Sequence, residues 1–283
     1  MSQLSPKKYF AKLLLFGEYT VINGGQALAI PFQKYHGSWS KEPKSQDLSE
    51  FWDFLKHLDG AKEDLITKIQ NEGIGFDSTI PTGYGCGSSG ALTAAVYDQF
   101  FTHNQFDKLH LKEKLAEIES FFHGKSSGLD PLVSYLNKAI LYSKGEIITL
   151  NQVPSTKNLF LIDSQKKRTT SHWVNIFHNK IETSQDFVNQ LKVLNEYNAQ
   201  AISAFILNDH NNLRECFKKI SHWQRIHFVE MIPDAIKAIW DKGLQSGDYY
   251  IKLSGAGGGG FFLGWTDEGF LNNPQNNFIR LGI

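Results

Sequence analysis

The stretch Ile80-Pro81-Thr82-Gly83-Tyr84-Gly85-Cys86-Gly87-Ser88-Ser89-Gly90 constrains this chain more than any other. Gly83, Gly85 and Gly87 alternate with larger residues, and Gly90 closes the run. Residues without a Cβ tolerate positive φ and let backbone N–H groups close directly on a ligand. The segment Gly73 to Ile80 reads as a strand entering the run, and Ala91 to Tyr97 as the first turns of a helix leaving it. A helix start adds free N–H groups and the positive end of the helix dipole, which suit a phosphate. Ser88 and Ser89 place hydroxyls at that start, where they cap the helix or sit beside a metal ion. Without a ligand, the same residues make a glycine-rich turn with a serine cap.

Two familiar phosphate loops are excluded. No lysine follows the glycines, so the pattern G-x-x-x-x-G-K-[ST] is absent. Gly85, Gly87 and Gly90 satisfy G-x-G-x-x-G, a weak match taken alone. A dinucleotide fold wants an acidic residue at a strand tip about 20 residues on. Residues 106–111 lead into a charged helix instead.

The chain of 283 residues suffices for one large domain or two ordinary ones. Its 29 basic and 29 acidic residues cancel, so no global field favours nucleic acid or an anionic membrane. Cys86 and Cys216 give neither a disulfide framework nor metal-ligand spacing, as expected of a protein in a reducing cytoplasm. The first eight residues lack an apolar core of a leader, and no run approaches a membrane span. A soluble intracellular protein is expected.

In chain order, Phe10 to Phe16 reads as a strand that breaks at Gly17-Glu18 and carries Lys12 as its odd residue. Thr20-Val21-Ile22 stops at the turn Asn23-Gly24-Gly25, and Ala27 to Ile30 reads as another short strand. His36 to Ser40 is a possible strand. Leu48 to Leu58 is an amphipathic helix with Phe51, Trp52, Phe54 and Leu55 as core candidates, and Asp64 to Glu72 is a second helix. After the loop helix, Leu111 to Phe122 repeats apolar residues at helical spacing. It runs into Glu119-Ser120-Phe121-Phe122-His123-Gly124-Lys125-Ser126-Ser127-Gly128-Leu129-Asp130-Pro131. Here the ordinary expectation is Asp130 as a helix N-cap with Pro131 at the first helical position. Ala139 to Tyr142 and Ile147 to Leu150 form a hairpin, and Asn151 to Ser155 is the candidate boundary, dividing the chain into 1–153 and 154–283. The second half opens with the strand Asn158 to Asp163 and the basic turn Ser164 to Ser171. Long helical patterns follow over His172 to Leu207 and Asn211 to Ser246, broken at Ile232-Pro233. Two strands then flank Ser254-Gly255-Ala256-Gly257-Gly258-Gly259-Gly260.

These stretches resemble, in order, the motifs of the GHMP kinases. Pro81 to Ala91 is similar to P-x-G-x-G-L-G-S-S-A, with Cys86 in place of leucine and Gly90 in place of alanine. Phe10 to Gly24 is similar to the opening G-K-V-I-L-x-G-E-H-x-V-x-x-G, with Lys12 on its lysine, Glu18 on its glutamate and Tyr19 in place of histidine. Glu119 to Asp130 matches E-x-x-x-H-G-x-x-S-G-x-D of the mevalonate kinase branch. Arg168 and Thr170 fall on the loop D/N-T-x-x-x-R-x-T, and Lys252 to Gly260 on K-x-S/T-G-A-G-G-G-G.

The resemblance implies an α+β, two-domain fold, with an N-terminal half like ribosomal protein S5 domain 2 and a ferredoxin-like C-terminal half. It implies transfer of the γ-phosphoryl of Mg-ATP to an alcohol. Gly83, Gly85, Gly87, Ser88, Ser89 and Gly90 would cradle the nucleotide, and Ser89 and Glu119 would hold Mg2+. Asp130 would take or orient the acceptor proton, and Lys12 would stabilise the developing charge. Lys12, Glu18, Tyr19, Thr170, Gly255, Ala256 and Gly257 would line the acceptor. His123 would orient its loop. The expected acceptor is mevalonate, bound by a monomer or homodimer that needs no nucleic acid or membrane. Phosphomevalonate is the alternative suggested by Tyr19 and by Ser88-Ser89-Gly90, and a sugar is a third. A silent binding protein of the same fold should have lost Lys12, Glu119 or Asp130, and all are present.

Overall fold

The computed structural model describes residues 7–43, 48–102, 107–272 and 278–282. Met1 to Pro6, where the absence of a leader was read, and Phe106 lie outside them. The chain runs through β1 (Tyr9–Phe16), a 3-10 turn at Thr20–Asn23, β2 (Ala27–Ser40), α1 (Ser49–Lys56), α2 (Glu63–Asn71) and β3 (Gly75–Ser78). Next come α3 (Ser88–Phe100), α4 (Lys108–His123), α5 (Leu129–Leu136), β4 (Ile140–Ser143), β5 (Glu146–Thr149) and β6 (Leu159–Asp163). It continues with α6 (Thr170–Thr183), α7 (Gln185–Ile206), α8 (His210–His227) and α9 (Asp234–Ser246). β7 (Tyr249–Leu253), β8 (Phe261–Thr266), α10 (Glu268–Leu271) and β9 (Ile279–Arg280) complete it. Among the described residues, no helix is long and apolar enough to cross a membrane.

The chain forms two compact units whose segments interleave in sequence. The first takes the described residues up to Leu13, of Ile30–Pro81 and of Cys86–Ala139; the second takes Leu14–Ala29, Thr82–Gly85 and the described residues from Ile140 on. Strands β1 and β2 and the glycine-rich loop each contribute to both.

In the first unit, α3 is the central element. Its middle is mostly small and apolar, and Gly90 to Tyr97 are all buried, the pattern of a helix packed on all sides there. α2, α4 and α5 lie against it. β2 pairs antiparallel with β3, with Trp39 opposite Phe76. The Trp39 ring meets Phe76 and Phe100 edge-on at 5.4 and 5.3 Å, the geometry favoured by aromatic quadrupoles. Phe51, Trp52 and Leu55 of α1 are buried with them, whereas Phe54 is half-buried.

In the second unit, β6, β7, β8 and β9 form an antiparallel sheet in the order β7-β8-β6-β9. Helices α6 to α9 fall between β6 and β7, and α10 between β8 and β9, so the elements run βαββαβ, the ferredoxin-like arrangement. β7 and β8 are buried along their whole length, which explains their near-continuous apolar sequences. The β4–β5 hairpin pairs with Ala27–Ala29 of β2 through Ile140–Tyr142.

Three expectations are corrected. Ala27–Ile30 and His36–Ser40 are parts of one 14-residue strand that continues through Pro31. The helical pattern from His172 to Leu207 is two helices, divided at Ser184, whose hydroxyl accepts the Phe187 amide at 3.2 Å. Asp130 is not an N-cap. That place belongs to Gly128, in the left-handed conformation at φ 70°, so Asp130 lies inside the first turn of α5.

Gly128 is there for two reasons. Its φ disfavours any L side chain, and a Cβ would run into the Lys112 carbonyl of α4. The left-handed conformation alone costs a side chain roughly 1–2 kcal/mol. Gly128→Ala should therefore lose about 2–4 kcal/mol of stability by urea unfolding, a larger loss than a surface Gly→Ala change produces.

Candidate active site

The first unit gathers Lys12, Gly87, Ser88, Ser89, Gly90, Glu119 and Asp130. Lys12 is fixed through its backbone, since its amide donates to the Cys86 carbonyl at 2.9 Å. Strand β1 is thereby tied to the glycine-rich loop. The Lys12 side chain is only 7% exposed, and its Nζ lies 2.7 Å from Asp130 Oδ1; the Asp130 side chain is 31% exposed. One partner of the ion pair is therefore held inside while the other remains reachable from solvent.

Gly87 is the N-cap of α3, with φ 72°, and its carbonyl accepts the first helical bond from Ala91 at 2.9 Å. The amides of Ser88, Ser89 and Gly90 precede that bond and have no acceptor within the helix. Among the described residues, no side chain caps this start. It is thus a helix N-terminus without a side-chain cap, located where Lys12 and Asp130 meet. A Cβ on Gly87 would lie 3.5 Å from Asp130 Oδ2 and 3.6 Å from Lys12 Cβ. At Gly90 a Cβ would sit 2.9 Å from the Asp130 carbonyl carbon and the Pro131 nitrogen. The departure from alanine at this position follows from how closely α5 packs.

Glu119, on α4, is buried. Ser89 donates to its Oε1 at 3.0 Å, and Ser126 makes a short bond to its Oε2. His123 Nε2 lies 3.0 Å from the Ser89 hydroxyl. Burial, reinforced by the negative charge of Asp130, pushes the Glu119 pKa up to about 7. Ser126 was missed by sequence reasoning, and its only signal was its place between two matched positions.

The second unit holds Gly83, Gly85, Glu18, Tyr19, Thr170, Gly255, Ala256 and Gly257. The Arg168 amide donates to the Gly83 carbonyl at 3.0 Å. The Arg168 guanidinium occupies the space that a side chain on either Gly85 or Gly255 would need. In the second glycine-rich loop, the Gly258 amide donates to Met231 O at 2.6 Å and the Gly260 amide to Lys166 O at 2.7 Å. Those two donors brace the loop itself. Thr170 is exposed at the first turn of α6.

Glu18 and Tyr19, expected at the acceptor, are both buried. The Glu18 side chain is wholly buried and bonded to the equally buried Lys252. The structure thus gives Glu18 a buried ionic partner in Lys252. Tyr19 is 4% exposed, and its hydroxyl donates to the Ala256 carbonyl at 2.6 Å. Burial pushes its pKa well above the ordinary tyrosine range. The Lys252–Glu18 pair was not anticipated, although a lysine inside the apolar strand Tyr249–Leu253 was a signal for it.

The Glu119 shift has a stability consequence. The folded chain holds the Glu119 proton more tightly than the unfolded chain does, so the unfolded state binds fewer protons between the two pKa values. The stabilisation from this group is complete below about pH 4.5 and is lost as pH rises through about 7. In urea unfolding of metal-free protein, Glu119→Gln should gain stability relative to wild type as pH rises across that window. A constant difference between the two proteins would contradict the assignment.

The family model for the GHMP kinases N terminal domain matches residues 51–138, and that for the GHMP kinases C terminal matches residues 201–271, together more than half of the chain. The mevalonate kinase of Pyrococcus abyssi (strain GE5 / Orsay) is 24% identical over an alignment of 170 residues that covers 48% of this chain and 50% of that protein. The chain thus matches about half the length of this curated relative. The crystal structure of L. major mevalonate kinase in complex with R-mevalonate superposes with a TM-score of 0.66 at 17% identity, covering 99% of this chain and 98% of that one. Streptococcus pneumoniae phosphomevalonate kinase, in complex with phosphomevalonate and AMPPNP, gives 0.65 at 17% identity over 92% and 91%. The α+β architecture is therefore shared along nearly the whole chain, and with both domain models matched in order the chain belongs to the GHMP kinase family.

Proposed function

We propose that this chain is an ATP-dependent kinase that transfers the γ-phosphoryl group to the hydroxyl of mevalonate, giving 5-phosphomevalonate. The observation that carries the reading is the Lys12–Asp130 pair, 2.7 Å apart, at the uncapped start of α3. Phosphoryl transfer asks a protein mainly for positioning and for charge stabilisation. An uncapped helix start supplies N–H donors and a positive dipole end for phosphate oxygens. In this reading, the backbone from Gly83 to Gly90 wraps the nucleotide phosphates.

Asp130 accepts or orients the proton of the acceptor hydroxyl, and its partial exposure lets an acceptor reach it. Lys12 lies against the same carboxylate and faces the oxygen that gains charge as that proton leaves. A cation about 4 Å from such an oxygen is worth roughly 4 kcal/mol at an effective dielectric of 20. That corresponds to about three powers of ten in rate if the contact tightens in the transition state.

The residues present fit a magnesium ion. Burial, and after it the negative charge of the half-buried Asp130, raises the Glu119 pKa, and a divalent cation would offset both. Among the described residues, no group of three or more His, Cys, Asp and Glu side chains forms a cage. Magnesium is commonly held by one or two carboxylates with substrate phosphates completing its shell. Ser89 and Glu119 would hold it, and bound Mg2+ would neutralise phosphate charge. Thr170 and the backbone of Gly255, Ala256 and Gly257 are assigned to the acceptor. Cys86 and Cys216, buried and not joined in a disulfide, suit a cytoplasmic enzyme acting as a monomer or homodimer on a small molecule.

The test is coupled ADP release from Mg-ATP with mevalonate, phosphomevalonate and a panel of sugars offered separately. Turnover is expected with mevalonate, and Asp130→Asn should lower kcat by about 10²–10⁴-fold. Lys12→Met should lower kcat by about a thousandfold with a smaller change in KM. Turnover confined to another acceptor would overturn the substrate, and a fully active Asp130→Asn would overturn the mechanism.

A further inference from the structure

The second glycine-rich loop is gripped at its entrance by a buried cluster that the proposed chemistry does not use. Lys252, the penultimate residue of β7, is fully buried. Its ammonium donates to the Leu15 carbonyl at 2.8 Å, to the Leu253 carbonyl at 2.7 Å and to the Glu18 carboxylate. All three acceptors lie within the same unit, so one side chain joins the end of β1, the turn after it and the strand that feeds the loop. Two further bonds run in parallel. Ser254 Oγ donates to the Leu14 carbonyl at 3.2 Å, and Tyr19 Oη donates to the Ala256 carbonyl at 2.6 Å.

The backbone of Tyr19 is strained. It has φ 63° and ψ −38°, outside the conformations a bulky side chain ordinarily adopts. Such a residue persists only where its surroundings over-determine it, and such residues gather at ligand clamps. Here its ring is 4.5 Å from that of Phe177 and 5.1 Å from that of Phe228, while its neighbour Glu18 is locked to Lys252. Packing alone would hold the ring. The hydroxyl bond to Ala256 adds a grip on the loop backbone.

We propose that Lys252, Glu18 and Tyr19 form a clamp that fixes the second glycine-rich loop in its ligand-ready conformation. Tyr19 is then a positioning residue, acting through Ala256 without touching the ligand. The clamp rests on the reading of Gly255, Ala256 and Gly257 as a ligand-binding backbone. Glycines carry the largest conformational freedom of any residue, so a loop with five of them between Gly255 and Gly260 needs an external restraint if its ordering is not to weaken binding.

The test is amide hydrogen exchange in the ligand-free protein across Ser254–Gly260, for wild type and Tyr19→Phe. Phenylalanine retains the ring contacts and removes only the bond to Ala256. The protected amides of Gly258 and Gly260 are the reporters, and their exchange should accelerate roughly fivefold, the size of one neutral hydrogen bond. The double variant Glu18→Leu with Lys252→Met replaces the buried ion pair by apolar groups, an exchange that proteins often accept without loss of folding. It should unfold cooperatively yet show the same or faster loop exchange. Wild-type exchange in either variant would overturn the clamp. In steady-state kinetics, Tyr19→Phe should raise KM about fivefold and leave kcat within about twofold. A fall in kcat with unchanged loop exchange would make Tyr19 a direct ligand contact and also overturn it. If neither ATP nor an acceptor protects the loop in wild type, the ligand reading fails, while the ligand-free exchange still decides the clamp.

Discussion

The approach of helix α5 to helix α3 is the constraint on which the first unit's site depends. The Asp130 and Pro131 backbone comes so near Gly90 that a methyl group there would be 2.9 Å away. That approach carries the Asp130 carboxylate to Lys12. The small residues of α3, Gly90, Ala91, Ala94 and Ala95, are all buried and leave room for α5 and its neighbours. The Lys12 amide bond to Cys86 then fixes the strand that carries the lysine. Backbone geometry sets the charges first, and electrostatics acts on what the backbone has placed. Severing a largely buried pair leaves one charge uncompensated, which costs several kcal/mol when both partners are deep. The partial exposure of Asp130 moderates that cost and keeps the carboxylate available.

Glu119 shows the same logic with the opposite sign. Its carboxylate is buried next to another, an arrangement that raises its pKa and disfavours its ionised form. Ser89 and Ser126 offset part of that penalty by donating to it. Proteins retain such electrostatic tension mainly at functional sites, where a ligand relieves it. A cation is the ligand whose charge does so.

Much of this was legible in the sequence, and the reasons are local. Ala91 to Tyr97 read as the first turns of a helix, and the mostly small, apolar residues there suit its burial on every side in the structure. The resemblance of Glu119 to Asp130 to a family motif singled out two carboxylates, and the structure brings Glu119 beside Ser89 and Asp130 beside Lys12. What escaped was long-range or conformational. Glu18 and Lys252 are separated by 234 positions, and nothing near Glu18 tells that its partner is a buried strand lysine. Pro31 hid the continuity of β2, since proline lacks a ladder donor and usually marks a strand's limit. The N-cap at Gly128 depends on a positive φ, and the sequence Leu129-Asp130-Pro131 fits a more common cap equally well. The interleaving of the two units, with β1 divided after Leu13, follows from tertiary packing and leaves no mark in composition.

The central claim is that Glu119 and Ser89 complete a magnesium-nucleotide site at the start of α3. The most direct measurement is titration calorimetry of ATP into the protein with and without Mg2+, for wild type and Glu119→Gln. Wild type should bind one ATP per chain, at least tenfold more tightly with Mg2+ if one charge-assisted contact is gained, about 1.4 kcal/mol or more. Glu119→Gln should keep the metal-free affinity and lose most of the gain. An undiminished magnesium effect in Glu119→Gln, or no ATP binding by wild type, would contradict the account.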